Sequence, residues 1–137
     1  MVAAVITFPD AQLAVRDLLR ALLAARPEGK GVTVSTKPIP GADGTHPLPY
    51  VQVVSDGAFR DSQLNGRASV RVLAYGRDEG ASVTLAALCE GLLLAEASSD
   101  KVRGCSPLAG PQSTSDPDND LPFSYFTLTA RLRPRQL

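Results

Sequence analysis

A chain of 137 residues with 44% hydrophobic and 20% charged residues is long enough for one domain with a real core, and too apolar for global disorder. Its 14 basic and 14 acidic residues cancel to a formal net charge of zero, and only 5% of its residues are aromatic, with no Trp. Both facts argue against a nucleic-acid-binding domain, which needs cationic surface for phosphates and flat rings for bases; neutrality also lets copies of the chain approach one another without global repulsion.

In chain order, the first predicted element is a helix from Pro9 to Arg26. Pro9 suits a first helical turn and Asp10 complements the positive helix end. Val15, Leu18, Leu19, Leu22 and Leu23 recur at the spacing of one buried face, and Pro27 and Gly29 end the helix. Val32 to Lys37 alternates apolar and polar residues and reads as a half-buried strand. Pro38 to Pro49 follows, too rich in Pro and Gly for a regular element, and is expected to be a mobile loop.

Tyr50 to Ser55 is a second short strand, and a polar connection carrying Asp56-Gly57 and Asn65-Gly66 leads to a third, Arg67 to Tyr75. Alternation there sends Ala68, Val70, Val72 and Ala74 to one face and Arg67, Ser69, Arg71, Leu73 and Tyr75 to the other. A second helix runs from an Asp78 cap to about Ala97, with Leu85, Leu88, Cys89, Leu92 and Leu93 on its buried side. Lys101 to Leu108 is a short irregular strand, Gly110 to Pro122 a second polar loop expected to be mobile, and Phe123 to Arg133 a closing strand. The fold expected is α+β: a single domain over residues 1–137, in the order α-β-β-β-α-β-β. Two amphipathic helices pack on one face of a mainly antiparallel, or mixed, sheet of four or five strands.

The residue inventory points away from catalysis, cofactors and metals. His46 is the only histidine and lies in the Pro/Gly loop, where a catalytic base would lack fixed orientation. Cys89 and Cys105 form no Cys-x-x-Cys motif, and Cys89 falls on an apolar helix face as a buried small hydrophobe. Asp116-Pro-Asp-Asn-Asp120 opens like a calcium loop, but Leu121 and Thr127 occupy the positions where Gly and Glu are required. Gly76-Arg-Asp-Glu-Gly80 lacks the Lys-Ser/Thr of a phosphate loop, and its carboxylates would repel phosphate. The opening residues lack the basic segment of a signal peptide, and no apolar run approaches the ~18 residues of a membrane span. A soluble, non-enzymatic protein made in a reducing cytoplasm is expected.

Charge is nonetheless segregated. From Asp78 to Asp100 stand Asp78, Glu79, Glu90, Glu96 and Asp100, with no Lys or Arg among them. Arg67, Arg71 and Arg77 mark the strand before this stretch; Arg131, Arg133 and Arg135 mark the C-terminal segment. Glu96 and Asp100 sit at the negative end of a helix, where the macrodipole disfavours them by a few tenths of a kcal/mol. A cationic partner surface would offset that. Arg67, Arg71, Glu90, Glu96, Arg131 and Arg133 are therefore candidate residues of a subunit interface, against the plainer alternative of a solvated helix face.

The ordering of these elements resembles the tail terminators, or tail-completion proteins, of siphovirus-type bacteriophages, especially those infecting actinobacteria. The resemblance rests on the helix beginning near Pro9, the Pro49-Tyr-Val-Gln-Val53 strand, and Val70-Arg-Val-Leu-Ala-Tyr75 leading straight into the second helix. Ser106-Pro-Leu-Ala-Gly-Pro111 before an acidic turn, and the Tyr125-Phe-Thr-Leu-Thr-Ala-Arg131 strand, complete it. The chain departs from the family in having only Asp56-Gly57 where a Gly-Gly pair is common. The resemblance implies a virion protein assembled in the host cytoplasm, which forms a ring, usually a hexamer, at the head-proximal end of the tail. It would contact the tail tube protein and the head-neck connector, stop tube polymerisation and join tail to head. Neither a membrane nor a specific nucleic-acid sequence is implied as partner, although DNA would pass through the lumen. A head-closure, neck or other minor tail protein, and a small ligand-binding domain, remain the alternatives.

Overall fold

A computed structural model describes residues 4–41 and 45–137. Strand β1 (Ile6–Thr7) precedes helix α1 (Ala11–Ala24); a single 3-10 turn (Pro27–Gly29) leads to β2 (Thr33–Ser35). Strands β3 (Tyr50–Arg60) and β4 (Gly66–Tyr75) form a hairpin, followed by helix α2 (Glu79–Glu96). A second hairpin, β5 (Val102–Ser115) and β6 (Pro122–Leu132), and a short β7 (Arg135–Gln136) end the chain. The main sheet has the order β2-β3-β4-β6-β5, antiparallel except where β2 runs parallel to β3. The α+β class and the order α-β-β-β-α-β-β hold, with β1 and β7 added as a small antiparallel clasp between the two ends of the described chain.

Local chemistry accounts for the helix limits. Asp10 caps α1, its Oδ1 accepting from Leu13 N at 3.0 Å, so the helix starts at Ala11, two residues later than the expected start at Pro9. Asp78 caps α2 in the same way, accepting from Ala81 N at 2.7 Å. Both helices lie on one face of the sheet. The core joins Val15, Leu19 and Leu23 of α1 with Cys89 and Leu93 of α2, over Val51, Val53, Val70, Val72, Phe126 and Leu128 of the strands. Ala68, Val70, Val72 and Ala74 are all buried, as alternation requires.

Two strands run far longer than their sequence suggests. β3 does not stop at Ser55: a bulge between Ser55 and Gly57 carries it on to Arg60. Gln12 Oε1 on α1 accepts from Ser55 N at 2.8 Å beside that bulge, anchoring the irregular backbone to the helix. The expected loop from Gly110 to Pro122 is mostly strand, because β5 continues to Ser115 and pairs with β6 as far as Pro122. Pro107 and Pro111 are tolerated there because β5 is an edge strand, bonded on one side only, and its register shifts absorb the misfit. What remains of that loop is a tight acidic turn. Asp116 Oδ1 accepts from Asp118 N at 2.9 Å, and Asn119 Oδ1 accepts from Leu121 N at 3.0 Å. The expected strand Val32–Lys37 shrinks to Thr33–Ser35, and 38–41 and 45–49 contain no helix or strand; 42–44 of the same expected loop lie outside the described residues.

Candidate interaction surface

The sheet has a helix-covered face and an open one. Along β4 the open face presents Arg67, Ser69, Arg71, Leu73 and Tyr75, and across the ladder on β6 it presents Arg131, Thr129, Thr127, Tyr125 and Phe123. At one end lies an aromatic row. Tyr75 stacks on Phe123 with ring centroids 5.0 Å apart, Tyr50 meets Tyr75 edge-on at 6.4 Å, and Phe123 meets Tyr125 at 6.0 Å. The hydroxyls are held by the surrounding chain. Tyr50 donates to Lys37 O at 2.7 Å, Tyr75 to Asp116 Oδ2 at 2.9 Å, and Tyr125 to Gln112 Oε1 at 2.8 Å. Burial, followed by the Asp116 carboxylate, pushes the Tyr75 phenol well above its ordinary range, so it stays protonated as a donor.

At the other end lies the basic group. Arg67 and Arg131 are direct register partners on β4 and β6, a like-charge pair that is unfavourable unless anions stand nearby. Arg67 Nε donates to both oxygens of Asp61, at 3.2 and 3.0 Å, and its guanidinium lies 4.9 Å over the Phe59 ring. Arg71 pairs with Asp56 at 3.2 Å, while its Nε is buried without an acceptor. Arg131 has no ion pair or hydrogen bond of its side chain among the described residues. The bulge between Val102 and Gly104 brings in Arg103, which the sequence reading passes over because it lies just outside the segments where arginines cluster. Arg67, Arg103 and Arg131 together line a recess of about 280 Å³, with Asp61 its only carboxylate among the described residues.

Arg133 does not share this face. β6 ends at Leu132, and the Arg133 side chain turns to Ser99 O at 2.7 Å and Ser98 Oγ at 3.1 Å, tying the chain end to the segment after α2. Glu90 and Glu96 lie on α2, behind the sheet from the basic stripe. Six residues separate them, roughly 600° of helix rotation, so they lie on flanks about 120° apart rather than in one stripe. The structure thus brings Arg67, Arg71 and Arg131 together, adds Arg103, and keeps Arg133, Glu90 and Glu96 apart from them.

The remaining polar residues have local tasks. His46 Nδ1 lies 2.9 Å from Pro40 O, within its own loop. Cys89 is buried and Cys105 partly buried, and desolvation pushes their thiols up to about 12 and about 11 respectively. Among the described residues no three His, Cys, Asp or Glu side chains are grouped to hold a metal ion, and no helix is long and apolar enough to cross a membrane. No protein-family model and no curated protein matches this chain.

Proposed function

We propose that this chain is a structural, non-enzymatic subunit of a long-tailed phage virion, of tail-terminator type. It assembles into a ring that caps the tail tube, stops its polymerisation and joins the tail to the head-neck connector. The observation that carries the reading is the sheet covered on one face only: Leu73, Phe123 and Tyr125 remain part-exposed on the other, and at its far end Arg103 and Arg131 line a recess without an ion pair of their own among the described residues. A face of that composition suits contact with protein, and the α2 carboxylates, on the opposite side of the sheet from the open-face arginines, suit the head-to-tail contact that closes a ring. The resemblance described above supplies the particular assembly.

Negative-stain microscopy and light scattering of the purified protein test this directly. Rings with a central hole, with a mass several times that of the chain, are expected. A protein that stays monomeric at about 100 µM, where even contacts of modest affinity associate, overturns the proposal.

A further inference from the structure

Helix α2 carries a surface that the fold of one chain does not explain. Its buried side is made by Leu85, Ala86, Cys89, Leu92 and Leu93. A helix packed on one side ordinarily turns charged residues to water on the other. Here the exposed residues between Glu79 and Glu96 include Gly80, Val83, Ala87, Gly91, Leu94 and Ala95, and not one exposed residue of that stretch is charged. Val83 is 42% exposed and Leu94 38%, and they fall on the same side of the helix with Ala87 between them.

Gly91 sharpens the point. A glycine in a helix interior costs roughly 1 kcal/mol relative to alanine. A Cβ built at Gly91 meets nothing within 4 Å, so nothing in the chain itself calls for its absence. A backbone approaching closely from outside would. On one border of this outer arc stands Glu90, half-buried and without an ion pair among the described residues.

We propose that the outer face of α2 is where a second copy of this chain docks, covering Val83, Ala87, Gly91 and Leu94 with its open sheet face and receiving Glu90 in its Arg67/Arg103/Arg131 recess. Charge complementarity identifies the occupant. The recess holds three guanidinium groups against the single carboxylate of Asp61. Helix α2 carries carboxylates and no base, and the whole chain is neutral, so each copy offers what the other lacks. A symmetric contact of α2 on α2 would instead set Glu90 against its own copy. A nucleic acid strand is a poorer occupant, because Asp56 and Asp61 interrupt the basic stripe along which successive phosphates would have to run, whereas one carboxylate needs the recess alone.

The contact rests on the ring reading and gives it a surface, so the experiment separates the two. Association of the wild-type chain and of Gly91→Leu, Val83→Glu and Glu90→Arg is measured by light scattering over a concentration series, with thermal unfolding of each at dilution. Gly91→Leu keeps or raises the melting temperature of the dilute chain while weakening association at least tenfold; Val83→Glu weakens it as much. Glu90→Arg weakens association, and adding Arg131→Glu to the same chain restores it to within about threefold of wild type. If the wild type forms rings and Gly91→Leu and Val83→Glu form them equally well, the α2 contact is wrong while the ring stands. A wild-type chain that never associates removes both. A species that stops at two copies, strengthened by Glu90→Arg, shows the symmetric helix contact instead, and tight binding of a DNA duplex lost on Arg131→Glu shows a phosphate site; either result overturns the proposal.

Discussion

Ser82 shows how one buried hydroxyl can hold a junction. It sits in the first turns of α2, and its Oγ accepts from Gly76 N at 2.8 Å and lies 2.9 Å from Asp78 O, to which it donates. The bond closes the sharp passage from β4 into α2. Gly76 has no room for a side chain there, since a Cβ would lie 2.6 Å from Ala81 C and Ser82 N. Ser82→Ala leaves the Gly76 N–H buried without an acceptor, and the expected loss is about 1–3 kcal/mol in chemical denaturation. Ser82→Thr, which keeps the oxygen, should lose less. Cys89 supplies a second residue-scale test. Its thiol is fully buried, and desolvation raises its pKa from the ordinary 9.0 to about 12. Because the folded value is raised, the folded state holds its proton where the unfolded state has released it. The stability this contributes is complete below pH 9 and falls as pH rises from 9 towards 12. Alkylation of Cys89 at pH 8 should therefore require opening of the core, and rapid labelling at Cys89 itself, mapped apart from the partly buried Cys105, would contradict this burial.

At the scale of elements, the long β5–β6 hairpin departs most from the sequence reading, and the reason is physical. Proline and glycine signal a loop because they remove donors and admit unusual backbone angles, but an edge strand has one free side on which both are harmless. Gly110 is more than tolerated, because its φ is +91° and an added Cβ would lie 2.7 Å from Tyr125 O and 2.9 Å from Phe126 Cα of the paired strand. Both obstacles are backbone and cannot swing aside. Gly110→Ala should cost about 1–3 kcal/mol, and hydrogen exchange should quicken at Gln112–Ser115, beyond the register shift between Ala109 and Gln112, before it does at Gly104–Ser106. Equal protection throughout would mean that the hairpin adapts without strain. The two helices and the buried rows of β3, β4 and β6 were legible because their period is set by burial on one side. The β3 extension past Ser55 was not, since Asp56-Gly57 reads as a turn and only the bulge reveals that pairing resumes. The candidate surface was legible in part for the same reason. Arg67, Arg71 and Arg131 follow from alternation and register, whereas Arg103 enters through a bulge, and Arg133 leaves through the end of a strand.

The whole molecule is two-sided: one helix-lined core, an open sheet face, and a second, uncharged surface on the outside of α2. The two free surfaces face opposite ways, so a single copy cannot cover both, and neither can two copies related by one symmetric contact. Association binds the folded state and not the unfolded chain, so it adds to stability by mass action. Each tenfold rise in concentration above the dissociation constant then contributes about 1.4 kcal/mol, or roughly 3–6 °C in melting temperature for a chain of this size. Calorimetry from 1 to 100 µM should show that climb for the wild type, and for Val83→Glu a climb that begins only at about tenfold higher concentration or beyond. Raising the salt concentration should lower the association only modestly, because exposed charge pairs contribute about 0.2–1 kcal/mol each and the buried apolar surface supplies the rest. A melting temperature independent of concentration in both chains would mean that the open sheet face and the outer side of α2 remain in water. The uncharged arc around Gly91 would then be a feature of the monomer, with no structural reason for its composition.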